Sequence, residues 1–530
     1  MTTRREFLRG SSLTLLGAAA PLAARSAPPV RAEAMAPGTQ SLVEAETVYG
    51  RIRGVRSGSV SSFKGIPYGA SSGEGNRFMP PQAPVPWTGV RECLQHGPVC
   101  PQTLPGERSD DVAPGGMSED CLNLNLWTPG LRDGMRRPVL VYFPGEGFSR
   151  GSANAAATDG AQLALAGDVV VIGVNHRVGR FGFLQLADQG DPAQFAQAGV
   201  AGLMDLTAAL EWVRDHAERF GGDPRNVMIF GQSGGGAKVS SLLATRAAQG
   251  LFHRAAIQSG SLLRFEPRDL AAQQASELLR TLGISRTHLK DAQALPWQQL
   301  LSAPVRGAAA AVGTRPVLDG RYLTHDPFGA TAPDESAGVP LIVSSTLEDE
   351  SLRLTNVTLG ESELKSSLDK RFAGRGRELL ALYRRYYPDR SPFLIQAQAF
   401  TDAGLRRAAL HQAELKAAQG RGAVYVYEWD WSGADQNERY GAAHGLDVAA
   451  TFLTALEPGA QRLATQLSSA WLSFARTGKP AVAQQPSWPE YDVTTRSTMV
   501  FGTPTQVVND PRGEIRQYWQ HAPARDSDGV

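Results

Sequence analysis

The sequence predicts an α/β protein built on a large, doubly wound and mostly parallel sheet with helices on both faces. Six apolar runs are typical of strands, at 139–143, 168–175, 227–230, 254–258, 339–343 and 423–429. Several of them are apolar without alternation, which indicates strands that are buried on both faces. Between the second and third runs, residues 198–220 repeat Leu or Val at spacings of three and four, the pattern of one helix face. Strands that alternate with helices predict a parallel sheet.

Length and composition are ordinary for a globular protein with a sizeable core. The chain has 530 residues, of which 42% are hydrophobic and 20% are charged, and its net charge is +1. This balance excludes a sequence-wide electrostatic footprint for nucleic acid. No segment after the N-terminal one reaches the ~18 consecutive apolar residues of a membrane span. The length allows one large domain or two smaller ones. Because neither an internal repeat nor a low-complexity linker occurs, we expect a single domain at 40–524, and a monomer by default.

The first 34 residues are typical of an export signal. Arg4, Arg5 and Arg9 precede a weakly apolar stretch at 11–24, and small residues predict cleavage near Ala32 or Ala34. The paired arginines indicate a twin-arginine-type signal peptide over 1–34. An amphipathic start of the fold is the alternative. We therefore expect a periplasmic or secreted protein.

Three cysteines, Cys93, Cys100 and Cys121, lie close together in the chain. An exported protein folds in an oxidising compartment, so one disulfide is expected and one cysteine is left over. Zinc binding is the alternative, but neither a C-x-x-C nor an H-E-x-x-H pattern occurs. The sequence therefore predicts neither a metal site nor a cofactor.

The pattern G-x-S-x-G, which surrounds many nucleophilic serines, occurs three times, around Ser71, Ser149 and Ser233. Such a serine sits on a tight turn directly between a strand and a helix, where its neighbours must be small. Ser233 meets both conditions, because the run 227–230 precedes it and glycines 234–236 follow it. Ser149 has bulky neighbours and no helix pattern after it, and Ser71 follows no strong strand. We therefore predict that Ser233 is the nucleophile.

A serine hydroxyl needs a general base, and the base needs a carboxylate that orients it. On a fold of this kind the chain order is serine, acid, histidine. His444 lies in a loop of small residues, whereas His411 falls in a helical run and is expected to be exposed, and His521 lies in the polar tail. We therefore predict His444 as the base. The run 339–343 is followed by three carboxylates, of which any one can be the acid and the other two are expected to be solvated: Glu348, Asp349 and Glu350.

Several further motifs resemble the type-B carboxylesterase/lipase family, which includes cholinesterases and bacterial para-nitrobenzyl esterases. The resemblance runs from about Val48 to Phe501. It rests on F-K-G-I-P-Y at 63–68, E-D-C-L-N-L at 119–124, N-H-R-V-G at 175–179, F-G-G-D-P at 220–224 and S-G at 259–260. It implies the α/β-hydrolase fold and the cleavage of a small-molecule carboxylic ester through an acyl-serine intermediate.

The resemblance also implies the roles of individual residues. Ser233 and His444 match the family's nucleophile and base. For the acid, an ungapped count from Pro340 gives Asp349, whereas Glu350 needs an insertion of one residue.

Two scaffold features follow from the same resemblance. The family's first disulfide maps onto Cys100 and Cys121, which leaves Cys93 free. The family's two buried ion pairs, which support the scaffold, map onto Arg77–Glu119 and Arg177–Asp205.

In this chain, the loop that the family uses to hold an oxyanion differs in sequence from the family's usual form. Its usual H-G-G-G-F is P-G-E-G-F at 144–148. The resemblance implies that backbone N–H groups of Glu146, Gly147 and Gly234 hold the oxyanion, and backbone donors survive a side-chain change. A carboxylate ~5 Å away would oppose the oxyanion by roughly 3 kcal/mol at an effective dielectric of ~20. Three outcomes stay open for Glu146: it points into solvent, it is protonated by desolvation, or it positions water for deacylation.

Two classes of function remain. In the first, a serine esterase, Ser233 attacks the ester carbonyl, His444 moves the proton, and Asp349 orients His444. In the second, the same scaffold is a non-catalytic binding protein. The same chemistry on an amide, carbamate or polyester bond is a variant of the first.

Overall fold

The protein is described by a computed structural model, which covers residues 40–104, 113–190, 193–305, 311–433, 439–454 and 459–522. The predicted signal peptide at 1–34 lies outside the described residues. Within them, thirteen strands form one sheet: β1 Gln40–Glu46, β2 Arg51–Ser57, β3 Val60–Pro67, β4 Val90–Glu92, β5 Asn123–Thr128, β6 Arg137–Phe143, β7 Val170–Val174, β8 Gly222–Gln232, β9 Arg254–Gln258, β10 Leu341–Thr346, β11 Val424–Trp429, β12 Ser497–Phe501 and β13 Gln506–Asn509.

The centre of this sheet is parallel, as predicted. The strand order is β1-β2-β3-β5-β7-β6-β8-β9-β10-β11-β12-β13, with β4 beside β2. Every neighbouring pair from β7 to β12 is parallel. Antiparallel strands flank this centre, with β1, β2, β3 and β5 on one side and β13 on the other. All six predicted strands are present, and all six lie in the parallel part.

Helices cover the sheet. Their bounds are α1 Ala161–Gly167, α2 Gly179–Phe183, α3 Ala201–His216, α4 Gly234–Leu243, α5 Arg268–Thr281, α6 Lys290–Ala294, α7 Trp297–Ser302, α8 Glu361–Arg371, α9 Gly376–Tyr386, α10 Pro392–Ala403, α11 Leu405–Gln419, α12 Leu446–Phe452, α13 Gln461–Thr477 and α14 Gly513–His521. The predicted helix at 198–220 is α3 with a 3₁₀ turn at each end. Among the described helices, none has the length and apolar character needed to cross a membrane.

The core lies on both faces of the parallel strands. Val139 and Val141 of β6 belong to an apolar cluster that also contains Leu206 of α3. The alternate residues Leu140 and Tyr142 belong to a second cluster, together with Trp471 of α13. A strand whose side chains are buried on both faces has no polar side, which explains its continuous apolar sequence.

Both ion pairs that the resemblance implied are present in the scaffold. Arg177 Nη2 lies 2.6 Å from Asp205 Oδ1, and both side chains are buried. Arg77 Nη2 lies 2.5 Å from Glu119 Oε2. Arg77 also donates to the main-chain oxygens of Ala292 and Leu295. The guanidinium groups therefore link loops and helices that are distant in sequence.

Candidate active site

Ser233 occupies a strained turn between β8 and α4. The strand ends at Gln232, the helix begins at Gly234, and Ser233 itself has φ 56° and ψ −125°. A residue other than glycine rarely adopts such a conformation, and it persists only where the surroundings impose it. A Cβ atom at Gly234 would lie 2.2 Å from Gly147 N, so glycine is required there for close approach. The structure therefore places Ser233 in the turn that the sequence predicts.

The other two serines in G-x-S-x-G patterns have different surroundings. Ser149 is exposed and lies in a turn some residues after β6, with no helix following directly. Ser71 is also exposed, and its Oγ accepts a hydrogen bond from Gly73 N at 3.3 Å. Neither serine stands between a strand and a helix.

His444 and Asp349 meet across two loops. His444 Nδ1 lies 2.7 Å from Asp349 Oδ1, and Asp349 Oδ2 accepts a hydrogen bond from Thr346 N at 2.9 Å. The carboxylate is fully buried, whereas the imidazole side chain is 22% exposed. Burial opposes the charged form of His444, but the hydrogen bond and charge of Asp349 outweigh it, so the pKa of His444 is raised. An imidazole that donates from Nδ1 keeps its lone pair on Nε2.

The two carboxylates next to Asp349 in the chain, Glu348 and Glu350, differ in their burial. Glu350 is partly exposed and pairs with Arg353 at 2.9 Å. Glu348 is fully buried, so the prediction that both other carboxylates are solvated is wrong for this residue. The error arose because sequence position after a strand does not tell which way each carboxylate points.

Glu348 joins the acid loop to the histidine loop. Its carboxylate accepts hydrogen bonds from Ala442 N at 2.7 Å and from Gln398 Nε2 at 2.7 Å, and Arg390 also donates to it. Its own N–H donates to Ala442 O at 3.1 Å. Burial raises its pKa to about 7, although Arg390 opposes the shift. Glu348 therefore fixes the loop that carries His444.

Two further polar residues beside His444 escaped the sequence reasoning. Gln232 Nε2 lies 3.0 Å from His444 Nε2, whereas Ser233 Oγ makes no hydrogen bond to any residue that the structure describes. Asp447, one helical turn beyond the histidine, is buried and accepts hydrogen bonds from Tyr427 at 2.6 Å and from Gln258 at 3.0 Å. Burial raises the pKa of Asp447.

The loop at 144–147 lies against the start of α4. Glu146 and Gly147 have φ values of 63° and 64°, and Gly147 contacts Gly234. The N–H groups of Glu146, Gly147 and Gly234 donate to no acceptor within the described part of the chain. The Glu146 side chain is 53% exposed, and its Oε2 lies 2.8 Å from Arg150 Nε. Its carboxylate is thus paired at the surface, which agrees with the first of the three outcomes.

Lys238 of α4 lies under the same loop. It is fully buried, and its Nζ donates to the carbonyl oxygens of Pro144 at 2.7 Å and Gly147 at 2.8 Å, with Gly145 O at 3.4 Å. Burial lowers its pKa to about 7, while the charge of Glu146 opposes the shift. The sequence reasoning missed Lys238, although a lone charge in the run 234–243 was a signal.

The predicted disulfide between Cys100 and Cys121 is absent, and this prediction is corrected. All three cysteines are free and buried. Cys100 Sγ accepts a hydrogen bond from Val178 N at 3.4 Å. The pKa of Cys121 is raised well above its ordinary value by its hydrogen bond with Cys100 and by burial. The thiols of Cys100 and Cys121 are therefore neighbours, as the resemblance implies, but no disulfide bond joins them.

The fold and the arrangement of Ser233, His444 and Asp349 define a class, the hydrolases of the α/β-hydrolase fold. Comparison with known proteins then gives the family. The chain belongs to the carboxylesterase family, whose profile matches residues 40–519. It is 32% identical over 490 residues to the para-nitrobenzyl esterase of Bacillus subtilis. This alignment covers 89% of this chain and 97% of that protein.

Solved structures agree with this assignment. A carboxylesterase of Geobacillus stearothermophilus superposes with a TM-score of 0.77 at 34% identity, covering 90% of this chain and all of the other. An esterase of Clostridium hathewayi that can hydrolyse aliphatic aromatic polyesters superposes with a TM-score of 0.78 at 30% identity, covering 92% and 100%. The protein is therefore a carboxylic ester hydrolase.

Proposed function

We propose that Ser233, His444 and Asp349 form the catalytic triad of a serine esterase. The observation that carries the proposal is the 2.7 Å contact between His444 Nδ1 and Asp349, in a structure that also places Ser233 on a strained strand-to-helix turn. Ser233 Oγ attacks the ester carbonyl carbon while its proton passes to His444 Nε2. The imidazolium then protonates the departing alcohol, which leaves an acyl-enzyme. Water, activated by His444 in the same way, cleaves the acyl group and restores Ser233.

Gln232 contacts the atom of His444 that must take the proton. With Nδ1–H donated to Asp349, the Nε2 lone pair accepts from the Gln232 amide at 3.0 Å. The imidazole is thus held in the tautomer that a general base requires. Because His444 Nε2 must take the proton of Ser233, this amide contact has to break when substrate binds. The hydrogen bond between Ser233 and His444 then forms in the complex, as catalytic hydrogen bonds often do.

The oxyanion is held by the N–H groups of Glu146, Gly147 and Gly234 in this proposal. Their lack of acceptors within the described residues supports the role, as does the contact between Gly147 and Gly234. Donors of this kind stabilise the charge that develops on the carbonyl oxygen. The surface pairing of Glu146 with Arg150 keeps its carboxylate from opposing that charge.

The proposed substrate class is a small-molecule carboxylic ester. The name of the Bacillus relative and the polyester hydrolysis by the Clostridium esterase both motivate a substrate panel. The panel contains p-nitrophenyl esters of increasing acyl length, one amide, one carbamate and one aliphatic aromatic polyester. The bond type with the highest Ser233-dependent kcat/KM identifies the class.

We also propose that the protein is exported as a folded monomer after removal of a twin-arginine signal at 1–34, and that residues 40–524 form its single domain. The support is the charged and apolar sequence at 1–34. Replacing both Arg4 and Arg5 with lysine is expected to leave activity in the cell interior, and sedimentation of the exported protein reports its oligomeric state. Unimpaired export of the double variant would contradict the signal assignment.

The test of the esterase proposal uses Ser233→Ala as the matched variant. Wild type is expected to hydrolyse p-nitrophenyl acetate and to react with a fluorophosphonate, and the variant to do neither above background. A wild-type protein without Ser233-dependent turnover or labelling would instead favour the non-catalytic binding protein.

A further inference from the structure

Lys238 is a buried lysine whose hydrogen bonds, among the residues that the structure describes, all go to main-chain oxygens. Its Nζ donates to the carbonyl oxygens of Pro144, Gly145 and Gly147, and it lies 5.5 Å from the ring centroid of Phe148. Among the described residues, no carboxylate lies within ion-pair distance of this ammonium group. An ammonium group without a counter-ion is costly to bury. The three carbonyl oxygens that it binds offset this cost and fix its position.

The three acceptors bracket the peptides that are proposed to hold the oxyanion. In a planar trans peptide, the C=O and N–H groups point in opposite directions. The oxygen of Gly145 belongs to the same peptide as the N–H of Glu146, so fixing the oxygen towards Lys238 turns this N–H away from it. Bonds at Pro144 and Gly147 hold the chain on either side.

The backbone of the loop at 144–147 needs stabilisation from outside the loop. Glu146 has a φ value of 63°, which is unfavourable for a residue with a Cβ atom. The loop also has no helix or strand of its own between β6 and the next 3₁₀ turn at Ala156–Thr158. The substitution of glutamate in a glycine-rich loop is thus accompanied by a buried ammonium group directly beneath it.

We propose that Lys238 is a positioning residue, which holds the backbone of residues 144–147 so that the N–H groups of Glu146 and Gly147 face the developing oxyanion. This inference rests on the proposed function of Ser233. Lys238 contacts neither substrate nor the reacting atoms. Its contribution is therefore expected in the transition state and not in substrate binding.

The chain offers a matched control for loss of a buried lysine. Lys416 of α11 is also fully buried, and its Nζ donates to the carbonyl oxygens of Ser336 and Ala337, each at 2.7 Å, and to Gln419 Oε1 at 2.9 Å. None of these groups belongs to the proposed site. Lys416→Met therefore removes the same kind of interaction without touching the loop at 144–147.

The experiment compares Lys238→Met and Lys416→Met in full-length protein, after wild-type turnover has been shown to depend on Ser233. For Lys238→Met, kcat is expected to fall roughly 100-fold with KM changed less than about threefold, the size seen when one oxyanion donor is lost. Affinity for a trifluoromethyl ketone, which forms a tetrahedral oxyanion on serine, is expected to fall by the same factor as kcat/KM. Affinity for an ether analogue that forms no adduct is expected to stay unchanged.

Lys416→Met is expected to lower the melting temperature while kcat and ketone affinity stay at wild-type values. If Lys238→Met does not fold, Lys238→Gln takes its place, since its amide keeps two N–H donors for three acceptors. For Lys238→Gln a smaller loss of kcat is expected, and the affinity for the ketone is again expected to fall by the same factor as kcat/KM. Folded variants at Lys238 with wild-type kcat and ketone affinity would overturn the proposal. Absence of Ser233-dependent turnover in the wild type would contradict the proposed function itself.

Discussion

At the scale of single residues, neighbouring carboxylates have divided roles. Asp349 orients His444 in the proposed triad, while Glu348, directly before it, accepts hydrogen bonds from the main chain of the histidine loop. Glu350 is already paired with Arg353. Sequence counting favoured Asp349 over Glu350, and the 2.7 Å contact with His444 agrees with that choice.

Asp349→Asn is expected to lower kcat by roughly 10³- to 10⁴-fold, because asparagine favours the wrong imidazole tautomer. Glu350→Gln is the matched control, and its kcat is expected to stay within about threefold of wild type because its carboxylate faces Arg353. Steady-state kinetics with p-nitrophenyl acetate measures both. A larger loss in Glu350→Gln than in Asp349→Asn would reverse the assignment.

The pH dependence follows from the direction of the His444 shift. A general base must be neutral, so kcat/KM rises with pH as His444 loses its proton. Because Asp349 raises the pKa of His444 in spite of burial, the midpoint is expected above about 6.5, the ordinary histidine value. A pH profile of kcat/KM with wild type measures this midpoint. A midpoint at or below the ordinary value contradicts the role of the Asp349 charge.

Substitution of Glu146 tests whether its side chain takes part in deacylation. Its carboxylate pairs with Arg150 at the surface, so Glu146→Gln is expected to keep the wild-type ratio of acylation to deacylation rates. Pre-steady-state burst kinetics measures both rates. A selective loss of deacylation would revive the water-positioning role.

At the scale of elements, the site depends on loops at the ends of parallel strands. The loop after β8 carries Ser233, the loop after β10 carries Asp349, and the loop before α12 carries His444. Parallel strands bring their carboxyl ends to one edge of the sheet, where ligands of such sheets bind. Glu348 fixes the second of these loops to the third.

Glu348→Ala is expected to destabilise the fold by about 3 kcal/mol, because it breaks a buried network and leaves Arg390 and the N–H of Ala442 without their acceptor. It is also expected to lower kcat, since the loop of His444 loses its anchor. Glu348→Gln keeps one acceptor oxygen and is expected to lose less in both respects. Urea unfolding and steady-state kinetics measure the two effects, and a Glu348→Ala protein as stable as wild type would contradict the anchoring role.

At the scale of the whole molecule, the buried centre of the sheet was predictable and its edges were not. Strands β6 to β11 are apolar on both faces and therefore conspicuous in the sequence. By contrast β1 buries only Ala45, so it carries no clear pattern, and its pairing with β2 is set by the fold.

The site shows the same division. The residues of the proposed triad could be selected from the sequence, because a strand-to-helix turn restricts its sequence to small residues and because the family motifs give the count to the acid. The roles of Gln232 and Asp447 could not be predicted, since they come from contacts between segments far apart in the chain. Lys238 was visible as a lone charge in an uncharged run, but its acceptors lie more than 90 residues earlier. The Cys100–Cys121 disulfide, which the resemblance implied, is absent from the structure.

Mass spectrometry of the acyl-enzyme identifies which serine is acylated. Wild type is mixed with p-nitrophenyl acetate, quenched in acid during the burst, digested and analysed by mass spectrometry, with Ser149→Ala as the matched control. An acetyl group on the peptide at Ser233, in wild type and in Ser149→Ala alike, is the result we predict. Acetylation at Ser149 or Ser71, or a steady-state turnover with no acyl-serine at all, would show that Ser233 is not the nucleophile.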